Sequence, residues 1–373
     1  MTTIDYKEIR DSIIQLHGLK NIDKRYIFYH DETNNIRKFY LKEEGYNQPT
    51  DLNFVLGGIC FQQSSANLQE LFDALKLDKS TKEVKLKNIA QGNFEDCLKS
   101  PKLTTFLNWL YESDLFTHFS VLNIFYYALV DIVDSALAKM EEMIPYEQLL
   151  KSVLYEVVKR NHEEAHTLFI DCNYPNIPPE KVNTFIDGLL SMIQNDEHEE
   201  DAHMEFGKDA LMQLLVSARQ HGMLVFVQDN EDRILQENFL PFYLHQIFLF
   251  YASSHIFDKE DTIQLLIEEY EILYGGNILT NYTFHESKDD MYLQVSDIFT
   301  GLMGKYCYFV HTKTMEEIEE ALEGFNKFQI ANLKTILKLQ DKSEKENKAF
   351  IHATVSMHEQ MKYGFINNYM SYK

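Results

Sequence analysis

Proline and glycine are scarce, at 7 and 14 of 373 residues, which excludes collagen-like repeats and low-complexity linkers. Cysteine is scarcer still. Cys60, Cys97, Cys172 and Cys307 stand far apart without a Cys-x-x-Cys pair, and three lie in apolar runs, the setting of free thiols in a reducing compartment. No apolar stretch follows a positive flank at the N-terminus, and no window approaches 18 uncharged apolar residues. A cytoplasmic protein without a membrane span is expected. Basic side chains are also in deficit: 35 against 58 acidic ones, a net charge of −23. That balance excludes wholesale electrostatic adhesion to nucleic acid, so a nucleic-acid substrate would need a local basic groove.

Apolar residues, by contrast, are plentiful. A hydrophobic fraction of 45%, with 22 Tyr and 26 Phe, specifies a folded protein with a large core. RYIFYHDETNN is an apolar run ending on two acids and two asparagines, the pattern of a strand entering a turn. Further strands are expected at NFVLGGICF (53–61), FTHFSVLNIFYY (116–127), TLFID (167–171) and MLVFVQD (223–229), with another before Glu286. TKEVKLK (81–87) is strand-like. Helical spacing marks 68–77, 102–112, 239–256, 261–274 and 291–309, with Pro101 at a helix start, and the chain beyond Met315 is helical and charged. The expected architecture is α/β: residues 1–310 form one domain with helical insertions at about 127–161 and 179–275, followed by a helical extension, 311–373.

The chemistry candidates are carboxylates at strand ends: Asp31, Glu32 and Asp171, joined by Asp297 on the helix at 291–309. Strands ending on one side of a sheet bring such groups together. Clustered carboxylates repel one another unless a divalent cation neutralises them, and hard oxygen donors suit Mg²⁺ or Mn²⁺. The ordinary role of an Asp at a strand end is turn formation or helix capping, and 58 acids offer many such positions. Asp297 differs, because it lies close to an otherwise apolar helical face, where an unpaired charge is costly. Asp229, Glu286 and Asp290 are further carboxylates near strand ends.

The set YIFYHDETNN, NFVLGGICF, KEVKLK, HTLFIDCN and SKDDMYLQVSDIFTGLMGKY resembles the family known as domain of unknown function 3800 over about residues 25–309. The resemblance implies a ribonuclease H-like mixed sheet and a metal-dependent nuclease-like site. Its motif positions fall on Asp31 and Glu32, Glu83 and Lys85, Asp171, Ser287 and Lys288, and Gln294 with Asp297. Thr33 and Asn34 depart from the small residue and glycine usual after the acidic pair. On this reading Asp31, Asp171, Asp297 and Glu32 hold the metal, Lys85 meets a phosphate or the attacking water, and Glu83 supports Lys85; an exposed strand edge is the plain alternative for the last two.

A competing motif, His162-Glu-Glu-Ala-His166, has zinc-protease spacing, but the strand expected from Thr167 and the lack of a third ligand argue against it. His198 and His203 fall in an acidic segment read as an exposed loop, and Cys172 is too isolated for a nucleophile. Two functions follow. One is an Mg²⁺- or Mn²⁺-dependent nuclease or related phosphoryl-transfer hydrolase, acting on nucleic acid or a nucleotide, with bacterial defence suggested by analogy alone. The other is an inactive ribonuclease H-like scaffold whose helical insertions and acidic surface bind a protein partner; a homodimer is equally open.

Overall fold

The apolar run 27–33 can bury both faces only inside a sheet, and it does. In the computed structural model, which describes residues 2–78, 81–198 and 202–373, it forms β1 (Ile27–Thr33). β1 pairs antiparallel with β2 (Asn53–Phe61), which pairs antiparallel with β3 (Phe116–Asn123). On the other side of β1 lies β4 (Ser254–Asp258), parallel to it, and then β5 (Tyr282–His285), parallel to β4. β6 (Ile351–Thr354) closes the far edge, parallel to β3. The sheet order is β5-β4-β1-β2-β3-β6, a mixed α/β arrangement in which β2 alone runs against the rest.

The sheet divides two cores. On one face Phe28 and Phe54 pack with the helical insertions and the buried helix α1 (Leu240–Leu249). On the other, Tyr29, Val55 and Ile59 pack under α2 (Met291–Thr312) and the C-terminal helices. α2 crosses β1 and β2 closely. Gly58, at φ +150°, lies where a Cβ would stand 2.1 Å from the Tyr29 carbonyl and 2.6 Å from Ser296 Oγ, and Ser296 donates to that same carbonyl at 3.1 Å. In the C-terminal half of α2, a Cβ on Gly304 would stand 2.5 Å from Thr33 Cγ2. Gly304→Ala is therefore expected to lower stability by about 2 kcal/mol despite alanine's better helix propensity. Urea unfolding checks this, and Thr33→Ser in the same chain should recover part of the loss.

Pro101 opens the helix Pro101–Glu112 as expected, with Ser100 Oγ accepting from the Leu103 amide at 3.3 Å. Other expectations are corrected. TLFID is not a strand but the end of the helix His162–Cys172: its buried Ala165, Phe169 and Cys172 recur at helical, not alternating, spacing. MLVFVQD forms turns, with Leu224 and Val227 inside and Met223 and Phe226 exposed. The helix expected over 239–256 ends at Leu249, and SHIFD becomes β4, a sheet strand inside the segment read as a helical insertion. TKEVKLK is a loop followed by the short helix Leu86–Ile89. The C-terminal segment is mostly helical, but β6 from it joins the main sheet.

Candidate active site

The parallel register of β1 and β4 runs from Ile27 opposite Ser254 to His30 opposite Phe257. The next residues are Asp31 and Asp258, so two carboxylates leave adjacent strands side by side on one face. α2 adds a third from above. The carboxylates of Asp31 and Asp297 lie within hydrogen-bonding reach of each other, a contact between like charges that needs a shared proton or a cation. Asp31 is only 7% exposed, and its Oδ1 accepts from the Glu32 amide at 2.7 Å. Burial, then the charges of Asp297, Glu32 and Asp258, push its pKa well above the ordinary carboxylate value.

Asp297 is also pushed up by burial, against the pull of the Leu86 amide, which donates to Oδ1 at 3.0 Å, and of Lys85, whose ammonium is 3.6 Å from Oδ2. Lys85 also pairs with Glu83 at 3.0 Å. Burial opposes its charge, but Glu83 and Asp297 outweigh that and hold its pKa above the ordinary lysine value. Asp258 Oδ1 accepts from the amides of Lys259 (2.9 Å) and Ser287 (3.0 Å).

The loop carrying Glu83 and Lys85 is held to the other elements by a chain of hydrogen bonds. Ser287 Oγ donates to Glu83 Oε1 at 2.7 Å, Gln294 Nε2 donates to the Ser287 carbonyl at 2.9 Å, and the Val84 amide donates to Gln294 Oε1 at 2.9 Å. Asp31, Glu83, Lys85, Ser287, Gln294 and Asp297 thus converge from four separate segments. Lys288 lies just outside, 3.9 Å from Glu286, which also pairs with Lys259 at 3.0 Å. Asp290 caps α2, accepting from the Tyr292 amide at 2.9 Å.

Two expected metal residues stand elsewhere. Asp171 is exposed near the end of the helix His162–Cys172, among the insertion helices, and is not among the charges acting on Asp31, Glu32 or Asp297. The cause is the helix that replaced the expected strand. Strand alternation turns Glu32 to the opposite face of the sheet from Asp31, towards Tyr243 and Glu260. There burial, Asp258 and Glu260 push its pKa up to about 7. Asp258, not Asp171, is the carboxylate that stands beside Asp31. The helical spacing of 239–256 masks the strand that carries it, yet SHIFDKE has the same form as YIFYHDE: an apolar, aromatic run ending on acids.

The His162-x-x-x-His166 pair lies on one helix after all, and His166 Nε2 is engaged by the loop 42–45, 2.9 Å from the Lys42 carbonyl and 3.1 Å from the Gly45 amide nitrogen. His203 lies in the helix Ala202–His221, and the acidic segment beside it falls partly outside the described residues. All four cysteines are buried free thiols.

The donors around Asp31 are hard oxygens, the right chemistry for Mg²⁺ or Mn²⁺. As the side chains stand, no group of three or more His, Cys, Asp or Glu residues among the described residues closes into a metal-holding set. No helix among them is long and apolar enough to cross a membrane. The chain matches no protein-family model, no curated protein and no solved structure.

Proposed function

We propose that the chain is a divalent-cation-dependent phosphodiester hydrolase of ribonuclease H-like fold, acting on a nucleic acid or nucleotide. The carrying observation is the buried contact between Asp31 and Asp297, two like charges with Asp258 beside them and one lysine at the rim. The strand order supports the fold reading: an antiparallel β1-β2-β3 meander continued on its β1 side by parallel β4 and β5. The resemblance to the domain of unknown function 3800 family rests on the motif residues alone.

In this reading Asp31 and Asp297 hold the cation, with Asp258 as the third oxygen donor; Glu32, on the other face, is not a ligand. A bound Mg²⁺ or Mn²⁺ would supply Lewis acidity and a water of lowered pKa. Lys85 presents its ammonium to the phosphate, positioned by Glu83, which Ser287 orients in turn. The buried setting of Asp31 strengthens each of these charge interactions by excluding water.

A second reading, a scaffold that binds a protein partner, draws on two facts: Lys85 already offsets Asp297, and Asp258 Oδ1 already accepts from two backbone amides. Cleavage of labelled single- and double-stranded oligonucleotides in Mn²⁺ separates the two. The hydrolase reading expects cleavage that falls at least tenfold in Asp258→Asn and is unchanged in Asp171→Asn. Absence of cleavage by the wild type, or equal rates in Asp258→Asn, favours the scaffold.

A further inference from the structure

A groove of about 520 Å³ runs along α2, beginning one turn beyond Asp297. Three of its lining residues tie it to the carboxylates. Thr33 follows Asp31 by two positions on β1, Leu86 donates its amide to Asp297, and Gly301 lies one turn from Asp297 on the same helix. At 1.5 Å per residue, the groove extends from about 6 Å beyond Asp297 at Gly301, past Lys305 at about 12 Å, to about 24 Å at Lys313.

The charge of this groove runs against that of the whole molecule. In a chain of net charge −23, its lining holds Lys305 and Lys313 and a single acid, Glu95. The Lys305 ammonium donates to the Gly92 carbonyl and has no carboxylate in ion-pair range among the described residues. Lys313 is 3.9 Å from Glu95 and stands over the Phe309 ring at 5.5 Å. Between the two lysines along α2 lies Tyr308, 42% exposed, its hydroxyl donating to Asp51 at 3.0 Å. Two cations flanking an exposed aromatic ring combine backbone attraction with a stacking platform. The volume suits a small ligand, and the strongly acidic remainder of the surface disfavours a long duplex.

We infer that this groove seats one nucleotide unit, its base against Tyr308 and its phosphate at Lys305, on the side nearer Asp297. The substrate of the neighbouring carboxylates is then a nucleotide or the end of a single strand. The inference rests on the hydrolase reading above, whose reacting phosphate would lie at Asp31 and Asp297, a neighbouring position to the one held here.

Calorimetric titration of the full chain in EDTA tests it, with adenosine 5′-monophosphate, a 5′-phosphorylated thymidine tetranucleotide and inorganic phosphate as probes. Lys305→Ala and Tyr308→Ala should each weaken binding of a nucleotide probe at least tenfold, with melting temperatures reporting that the fold is kept. Glu95→Gln, which removes the one acid, should tighten it about threefold. Asp171→Asn, on the helix His162–Cys172 and outside the groove, should bind as the wild type does. Tighter binding of the tetranucleotide than of the mononucleotide identifies a strand end as the source, and the reverse a free nucleotide. The inference is overturned if the wild type binds no nucleotide probe, if inorganic phosphate binds as tightly as the nucleotides, or if the groove variants match the wild type. Failure of the hydrolase reading looks different: groove-dependent binding without cleavage of any probe in Mn²⁺.

Discussion

Replacing Asp31 by asparagine should raise the melting temperature while abolishing any cation-dependent stabilisation and cleavage. The asparagine keeps an oxygen to accept from the Glu32 amide and removes a buried charge that faces Asp297, Glu32 and Asp258. Because the pKa of Asp31 is raised in the folded state, its contribution favours folding below the ordinary value of 3.8 and is lost as pH rises through the higher folded value. The buried charge therefore costs stability once it forms. Relief of about 2 kcal/mol is expected, a rise on the order of 2–5 °C. Saturating Mn²⁺ at a hundred times its dissociation constant should stabilise the wild type by about 2.7 kcal/mol and leave the variant unmoved. Thermal melts with EDTA and with Mn²⁺ read both effects. A variant less stable than the wild type in EDTA would make the carboxylate a structural partner and remove the main support for the cation site.

Lowering the pH from 7 to 5 should cost about 4 kcal/mol of stability through two buried histidines alone. On the face of the sheet opposite Asp31, His30, His118 and His255 form a closed cluster, with His30 Nε2 3.0 Å from His255 Nδ1 and the His30 and His118 rings 4.6 Å apart. His255 Nε2 donates to the Phe250 carbonyl, so its Nδ1 accepts and His30 Nε2 donates. Burial, with weaker repulsion from His118, outweighs the Phe250 carbonyl and lowers His255 to about 3; burial alone outweighs the Tyr29 and Ile59 carbonyls and lowers His118 to about 4. Burial and both neighbours lower His30 as well. A histidine whose folded pKa is depressed contributes stability that is complete above the unfolded value of 6.5 and is lost as pH falls towards the folded value, at about 1.4 kcal/mol per pH unit. Urea unfolding at pH 7, 6 and 5 measures the slope, and His255→Phe should flatten it. An unchanged slope in that variant would place the acid lability elsewhere.

The meander was legible because its strands are long and carry their own punctuation. YIFYH ends on Asp-Glu-Thr-Asn-Asn, and NFVLGGICF is apolar throughout, as a strand buried on both faces must be. Asp297 was legible for a related reason, since an acid beside an apolar helical face demands a partner, and Asp31 with Lys85 supplies one. The short apolar runs were not legible. TLFID, MLVFVQD and SHIFD have similar length and composition, yet they became a helix, a set of turns and a strand. Runs this short are too brief for alternation and helical spacing to differ, so the partner decides.

Local sequence was enough to specify an α/β chain with free buried thiols, three long strands and an acid on α2 in need of company. Those features depend on local periodicity and on the cost of burying charge, both written in consecutive residues. Only the tertiary structure decided which third carboxylate joins Asp31 and Asp297. That choice is set by the register between β1 and β4, strands more than two hundred residues apart, which places Asp258 beside Asp31 and leaves Asp171 on a distant helix.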